Sequence, residues 1–337
     1  MTRAADILVS TLINHGVDRV FCVPGESYLA VIDAMYDANT IDVVTTRHEG
    51  GASFMAVADA KMTGKPGVVL VSRGPGATNG SIGIHVSQQD AVPVIMFVGQ
   101  VAREDLGRNA FQELDYTKTF SDMAKWVVEI TEADKVAEDV RRAFTIAQSG
   151  VPGPVIVSLP EDMLIDQTKA LPLSPATISQ PKPDSEDIIK VCDMLSQSER
   201  PLIIAGGQIG GKLGREALRM VSERWNVPVA TSWRHQDLFD VAHLNFACHL
   251  AFNMPPIFKD TLNQSDLIIA IGTRLGDVVT QGYKIPLAPQ PGQKLVHIYN
   301  DSRPIGNVFD THFSMVADAT ETLIAMGEIS AQKPPKG

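Results

Sequence analysis

Glu49 stands in the stretch Thr45-Thr46-Arg47-His48-Glu49-Gly50-Gly51-Ala52-Ser53-Phe54-Met55-Ala56. Before it runs Ile41-Asp42-Val43-Val44, of β-strand character; after it, Ala52 to Met62 repeats small and apolar residues at helical spacing. A carboxylate is thus expected where a strand hands over to a helix. In an open α/β sheet that edge is where ligands bind, because helix N-termini and loop backbone converge there, and a carboxylate held there can do acid–base work. A lone acidic residue at such a place is ordinarily a first-turn helix residue facing solvent, favoured by the helix dipole.

Glu49 is not alone. Downstream, Val68-Val69-Leu70-Val71-Ser72 reads as a buried strand and Arg73-Gly74-Pro75-Gly76-Ala77-Thr78-Asn79-Gly80 as a glycine-rich turn opening a helix. Pro93 to Val98 is a further strand ending in Gly99-Gln100, and Ala110-Phe111-Gln112-Glu113 follows. His48 reads as a hydrogen-bonded neighbour of Glu49, and His85 as a capping or packing residue.

The elements that must position these residues repeat a strand–turn–helix unit. Residues 3 to 16 form an amphipathic helix stopped by Gly16, Val20-Phe21-Cys22-Val23 a strand closed by Pro24-Gly25, and Tyr28 to Tyr36 a helix. The unit recurs at 41–62, 68–90 and 94–100, with a strand near Lys125-Trp126, a helix from Glu132 to Ser149, and a closing strand Val155 to Leu159. Continuous apolar strands alternating with helices imply a parallel sheet covered on both faces.

From Ile165 to Ser185 the composition turns to Pro, Ser, Thr, Gln and Lys without periodicity. A second series of strands follows at Pro201 to Ala205, Val227 to Thr231, Leu267 to Ile271 and Leu295 to Ile298. The fold class is therefore α/β, with two doubly wound, Rossmann-like parallel-sheet domains in tandem. The boundaries expected are 1–164, a linker at 165–185, a central domain at 186–330, and the start of another linker at 331–337.

The order of Pro24-Gly25, Arg47-His48-Glu49, Gly74-Pro75-Gly76-Ala77-Thr78-Asn79, Gly99-Gln100, Ala110-Phe111-Gln112-Glu113 and Lys125 resembles the pyrimidine-binding domain of thiamine-diphosphate-dependent enzymes, in the acetohydroxyacid (acetolactate) synthase-like branch. The resemblance is dense over the first half of the chain and looser over the second. It implies that Glu49 hydrogen-bonds the cofactor's aminopyrimidine and favours its imino tautomer, in a buried setting that raises a carboxyl's hold on a proton. Gly25, Glu26, Pro75, Thr78 and Asn79 would meet the cofactor, and Gln100, Phe111, Gln112 and Lys125 the substrate pocket. For Phe111 a core role is favoured over the pocket, and for Gln100 the pocket is favoured. The glycine and proline positions are equally explained as turn geometry, which is compatible with binding.

Two departures from that branch stand out. Where the synthases read Pro-Gly-Gly, this chain has Pro24-Gly25-Glu26-Ser27, and the added carboxylate alters the pocket rim. Their flavin-contacting Gly-Met-His-Gly is replaced by Phe246-Ala247-Cys248-His249 and the residues after it, so FAD is not expected. Candidate nucleotide contacts remain at Gly206-Gly207, as readily a close-packed turn as a phosphate cradle, and at Gly272 and Arg274, where the arginine could equally pair with an acidic neighbour. Magnesium and the cofactor's diphosphate belong, by the same resemblance, to a further domain with a Gly-Asp-Gly motif. Only Gly276-Asp277 comes near that motif, so no metal ligand is assigned here.

The resemblance implies a carboligase or decarboxylase of a 2-oxo acid that works as a homodimer or higher assembly, with the missing domain supplied by other residues or by a separate diphosphate-binding subunit. As these 337 residues alone, the chain is expected to be inactive. The alternative is a non-catalytic ADP- or FAD-binding scaffold or interaction module. A net charge of −10 and scattered Lys and Arg argue against nucleic-acid or anionic-membrane partners. Three widely spaced cysteines, a polar N-terminus and no apolar run of spanning length fit a cytoplasmic protein.

Overall fold

The computed structural model describes residues 1–330. The expected start of a linker at 331–337 lies outside the described residues. The chain divides into two compact units, one running from Met1 to Ile178 and the other beginning at Ser179.

In the first unit the elements are β1 (Thr2–Arg3), α1 (Ala4–Asn14), β2 (Arg19–Cys22), α2 (Leu29–Ala38), β3 (Asp42–Thr45), α3 (Glu49–Thr63), β4 (Gly67–Val71), α4 (Pro75–Asp90), β5 (Val94–Gln100), α5 (Tyr116–Phe120), β6 (Trp126–Glu129), α6 (Val136–Gln148), β7 (Pro154–Pro160) and β8 (Gln167–Thr168). Six strands make one parallel sheet in the order β3-β2-β4-β5-β7-β6. The sheet is buried on both faces: one core joins α1, α2 and α6, the other α3 and α4. That two-sided burial explains why β4, β5 and β7 read as unbroken apolar runs.

Because β2 pairs with both β3 and β4, the strand order reverses between β2 and β4. In sheets of this kind the crevice outside the carboxyl ends of the strands at such a reversal is the ligand site. The turn after β2 carries Gly25 and Glu26, and the turn after β4 carries Ser72 and Arg73.

The segment read as a linker begins inside the first unit. Gln167 and Thr168 pair antiparallel with Arg3 and Thr2, and Thr168 is buried. Two residues pairing across the whole length of the unit leave no periodicity for sequence reading to detect.

The second unit holds α7 (Ser185–Gln197), β9 (Pro201–Ala205), α8 (Gly211–Trp225), β10 (Val229–Thr231), β11 (Phe246–His249), α9 (Pro256–Gln264), β12 (Leu267–Ile271), β13 (Lys294–Tyr299), β14 (Phe313–Val316) and α10 (Ala319–Glu328). Its six parallel strands run β11-β10-β9-β12-β13-β14. Tandem α/β units with parallel sheets are thus observed as expected.

Candidate active site

α3 starts at Glu49, three residues before the expected Ala52. His48 is the cause: it takes the N-cap position, and its Nδ1 accepts from the Gly50 amide at 3.0 Å. Such a cap satisfies one of the orphan N–H groups of the first turn, which Gly50 and Gly51 alone favour poorly. Glu49 then sits at the positive end of the helix.

The neighbouring helix is brought close by small residues. A Cβ on Gly83 of α4 would lie 2.3 Å from Ser53 Oγ and 2.7 Å from the Ser53 carbonyl carbon of α3, so only glycine allows this approach. The consequence is at the helix starts: Asn79 Nδ2 donates to Glu49 Oε2 at 2.9 Å. Oε1 of Glu49 lies toward Gly76, whose Cβ, if present, would be 3.4 Å from that oxygen and 3.4 Å from Ser72 Cβ. A Cβ on Gly25 would come within 2.9 Å of Ser72 Cβ. Gly25, Ser72 and Gly76 therefore line a cradle next to the carboxylate. Glu49 is half-buried in this chain, not buried as expected, because the surface beyond α3 and α4 is uncovered.

Above the cradle the loop before α5 folds over the start of α4. Gly74, at φ +33°, leaves its amide to the Tyr116 hydroxyl at 2.9 Å, and a Cβ there would strike the Gln112 carbonyl oxygen at 2.5 Å. Gln112 itself holds φ +65°, a conformation uncommon outside glycine and a strain the packed turn sustains. Burial pushes the Tyr116 phenol up to about 12, so it stays protonated.

The candidate residues thus fall into groups. Glu49, Gly25, Pro75, Asn79 and the backbone of Gln112 come together at the carboxyl edge of the sheet. Glu26 reaches the same edge, on the rim. Thr78 is there too, but its hydroxyl turns back onto the carbonyls of Gly74 (3.1 Å) and Pro75 (3.0 Å). Gln100 is buried and its amide is committed: it donates to the Leu114 carbonyl at 2.9 Å and to Glu129 at 3.3 Å, and accepts from the Val101 amide at 3.0 Å. It lines a cavity of about 270 Å³ with Glu129 and Ser158.

Three further expectations are corrected. Phe111 is not a core residue; it is 76 % exposed, because the 107–113 turn is held by Glu113 accepting from the Gly107 and Ala110 amides rather than by an aromatic anchor. Lys125 is not with the others. It precedes β6, at the amino edge of the sheet, where its Nζ donates to the carbonyls of Ser149 (2.5 Å) and Ile146 at the end of α6. His85 neither caps nor packs; it is exposed on α4.

Residues 2–119 match the profile described as thiamine pyrophosphate enzyme, N-terminal TPP binding domain, and residues 188–326 that of the thiamine pyrophosphate enzyme, central domain. The chain belongs to the thiamine pyrophosphate enzyme family. Among curated proteins it is 33 % identical to the acetolactate synthase large subunit of Parasynechococcus marenigrum, over 98 % of this chain and 54 % of that protein. It is 31 % identical to the acetolactate synthase isozyme 3 large subunit of Escherichia coli, over 99 % of this chain and 58 % of the relative. The chain spans about half the length of the curated relatives it matches.

In the second unit of this thiamine pyrophosphate family member, the glycine turns are filled by neighbouring backbone and by the His235 ring. The Gly206 amide donates to the Ile271 carbonyl at 2.9 Å and the Gln208 amide to the Gly272 carbonyl at 3.1 Å. A Cβ on Gly206 would lie 2.4 Å from the Gly272 oxygen, and one on Gly207 would lie 2.3 Å from the His235 ring. Gly206, Gly207 and Gly272 (φ +68°) are accounted for by this close approach, and Arg274 is exposed beyond β12. Of the two sequence readings, the packed turn is the one these hydrogen bonds favour.

Sequence reading passed over Ser72, Arg73 and Tyr116. The first two were within reach of the rule that binding residues follow parallel strands at a reversal of strand order, once that order is known. Tyr116 carried no signal.

Proposed function

We propose that the chain supplies the pyrimidine half of a thiamine diphosphate site in an acetolactate synthase-like carboligase or decarboxylase of a 2-oxo acid. One observation carries it: Glu49, on the first turn of α3, offers a carboxylate oriented by Asn79 beside the cradle formed by Gly25, Ser72 and Gly76. The fit is physical. A side chain at Gly25 or Gly76 would crowd Ser72 beside the carboxylate, and Oε1 has no donor among the described residues.

Thiamine diphosphate, when bound, supplies a thiazolium carbon that adds to a carbonyl and holds the resulting electron pair. The chain's own part is to place a proton. Glu49 Oε1 would hold it toward the bound ring, Asn79 fixes the carboxylate's rotamer, and cover from a partner surface would withdraw water so that the proton is held more firmly.

Magnesium and the diphosphate are, by the same resemblance, held outside the two domains this chain matches. We assign them to a further domain, of the same polypeptide, of a homodimer partner, or of a separate subunit. Phe54, Met55 and Met62 along α3 and Ile82 on α4 are exposed and support pairing through these two helices. We place the protein in the cytoplasm, on the strength of its three buried free cysteines; no helix among the described residues is long and apolar enough to cross a membrane.

The test is calorimetric titration of thiamine diphosphate and magnesium into the chain, with and without a diphosphate-binding domain. Binding and exchange of the cofactor's C2 proton that require the added domain and vanish in Glu49→Gln support the reading. Absence of binding by a folded, paired complex overturns it in favour of a scaffold without chemistry.

A further inference from the structure

Arg73, at the carboxyl edge of the first sheet, is largely enclosed yet poorly satisfied. Arg103, on the same edge, is tightly held: Nε to Asp162 at 2.7 Å, a terminal nitrogen to Asp166 at 2.8 Å, the other to the Thr131 carbonyl at 3.0 Å. Arg73 is only 12 % exposed, yet its acceptors are Glu26 Oε1 at 3.4 Å and Glu161 Oε2 at 3.5 Å, and its Nε is buried with no partner. Charge-assisted bonds of this kind normally close to about 2.7–2.9 Å. A guanidinium whose Nε is buried and whose remaining contacts are loose has lost water without recovering equivalent hydrogen bonds.

Its position gives that deficit a use. Glu26 follows β2 and Arg73 follows β4, so the pair straddles the reversal of strand order, and Ser72, the residue before Arg73, is a wall of the cradle beside Glu49. The planar fork of a guanidinium matches a carboxylate in bidentate fashion. Two carboxylates facing one cation leave an excess negative charge, so an incoming anion must displace one of them. The Glu26 side chain is 70 % exposed and that of Glu161 40 %, which makes Glu26 the one that leaves at little cost, since it stays hydrated.

We propose that Arg73 holds the carboxylate of the acid substrate and that Glu26 is its internal competitor for the guanidinium. The substrate class named rests on the thiamine-enzyme reading, but the binding event does not require the cofactor.

Line broadening of pyruvate labelled at its carboxyl carbon, on the 337-residue chain, reads the interaction directly, with methyl pyruvate as the uncharged control. Arg73→Gln weakens pyruvate by at least about tenfold, the size expected for a lost charged hydrogen bond, and abolishes the preference over methyl pyruvate. Arg73→Lys restores part of it. Glu26→Gln tightens pyruvate severalfold by removing the competitor. Equal weakening of both ligands marks Arg73 as merely structural, and pyruvate binding that is absent, indifferent to Arg73, or weakened in Glu26→Gln overturns the proposal. Should Arg73→Gln fail to fold, Arg73→Lys and Glu26→Gln decide it. Failure of thiamine diphosphate to bind is seen separately by calorimetry and overturns the functional reading alone.

Discussion

The amide of Asn79 donates to the carboxylate of Glu49 across two helices that only glycine and serine allow to approach so closely. Thirty positions of sequence separate them, and the α3–α4 seam makes them one unit.

Removing either partner should separate chemistry from stability. Glu49→Gln is expected to cut C2 proton exchange by at least about a hundredfold, and Asn79→Ala by about tenfold, since it releases only the rotamer. Both groups sit at the helix ends rather than in the core, so thermal unfolding should barely move. Exchange unchanged in Glu49→Gln removes the carboxylate from its role.

Two glycines of α4 should behave oppositely on gaining a methyl group. Gly76→Ala meets its neighbours at 3.4 Å, an ordinary contact, so the protein folds but the cradle is filled and thiamine diphosphate binding falls. Gly83→Ala meets Ser53 at 2.3 Å and must push the helices apart, at about 1–3 kcal/mol. Denaturant unfolding and calorimetry on both variants distinguish these outcomes.

Lys125 holds the carbonyl end of α6, where a cation is favoured by the helix dipole. Lys125→Met should lower unfolding free energy by about 1–2 kcal/mol and leave cofactor binding untouched. Loss of binding without loss of stability would return Lys125 to the pocket.

Stability should decline on mild acidification. His15 and His297 are held below the usual imidazole range by burial; Nδ1 of His15 lies 2.8 Å from the Thr11 carbonyl and Nε2 of His297 lies 2.9 Å from that of Thr273. Their protonation is favoured in the unfolded chain, which therefore binds more protons. Their contribution is complete above about pH 6.5 and is lost as pH falls from there through the depressed native values. His15→Gln should flatten that slope for the first unit in unfolding measured between pH 5 and 8. An unchanged slope assigns it to other groups.

Charged substitutions on the exposed face, Met55→Asp with Ile82→Asp, should shift any self-association toward monomer in sedimentation without lowering the unfolding temperature, because neither side chain is buried in the single chain.

The sequence by itself determined the class and the succession of the elements. Unbroken apolar runs at β4, β5 and β7 specify doubly covered strands, Gly64 and Asn39 stop helices in left-handed conformations, and a carboxylate at Glu49 marks the junction of strand and helix. These are local, and local spacing encodes them. What only the tertiary structure decided is pairing over distance. That Asn79 reaches Glu49, that Lys125 turns to a helix end at the far edge, that Phe111 stays in solvent, and that Arg73 sits half-buried between Glu26 and Glu161 all depend on strand order and helix seams. The physical reason is that a side chain's partner follows from which strands lie side by side, and a reversal of strand order between β2 and β4 leaves no trace in the spacing of residues along either strand.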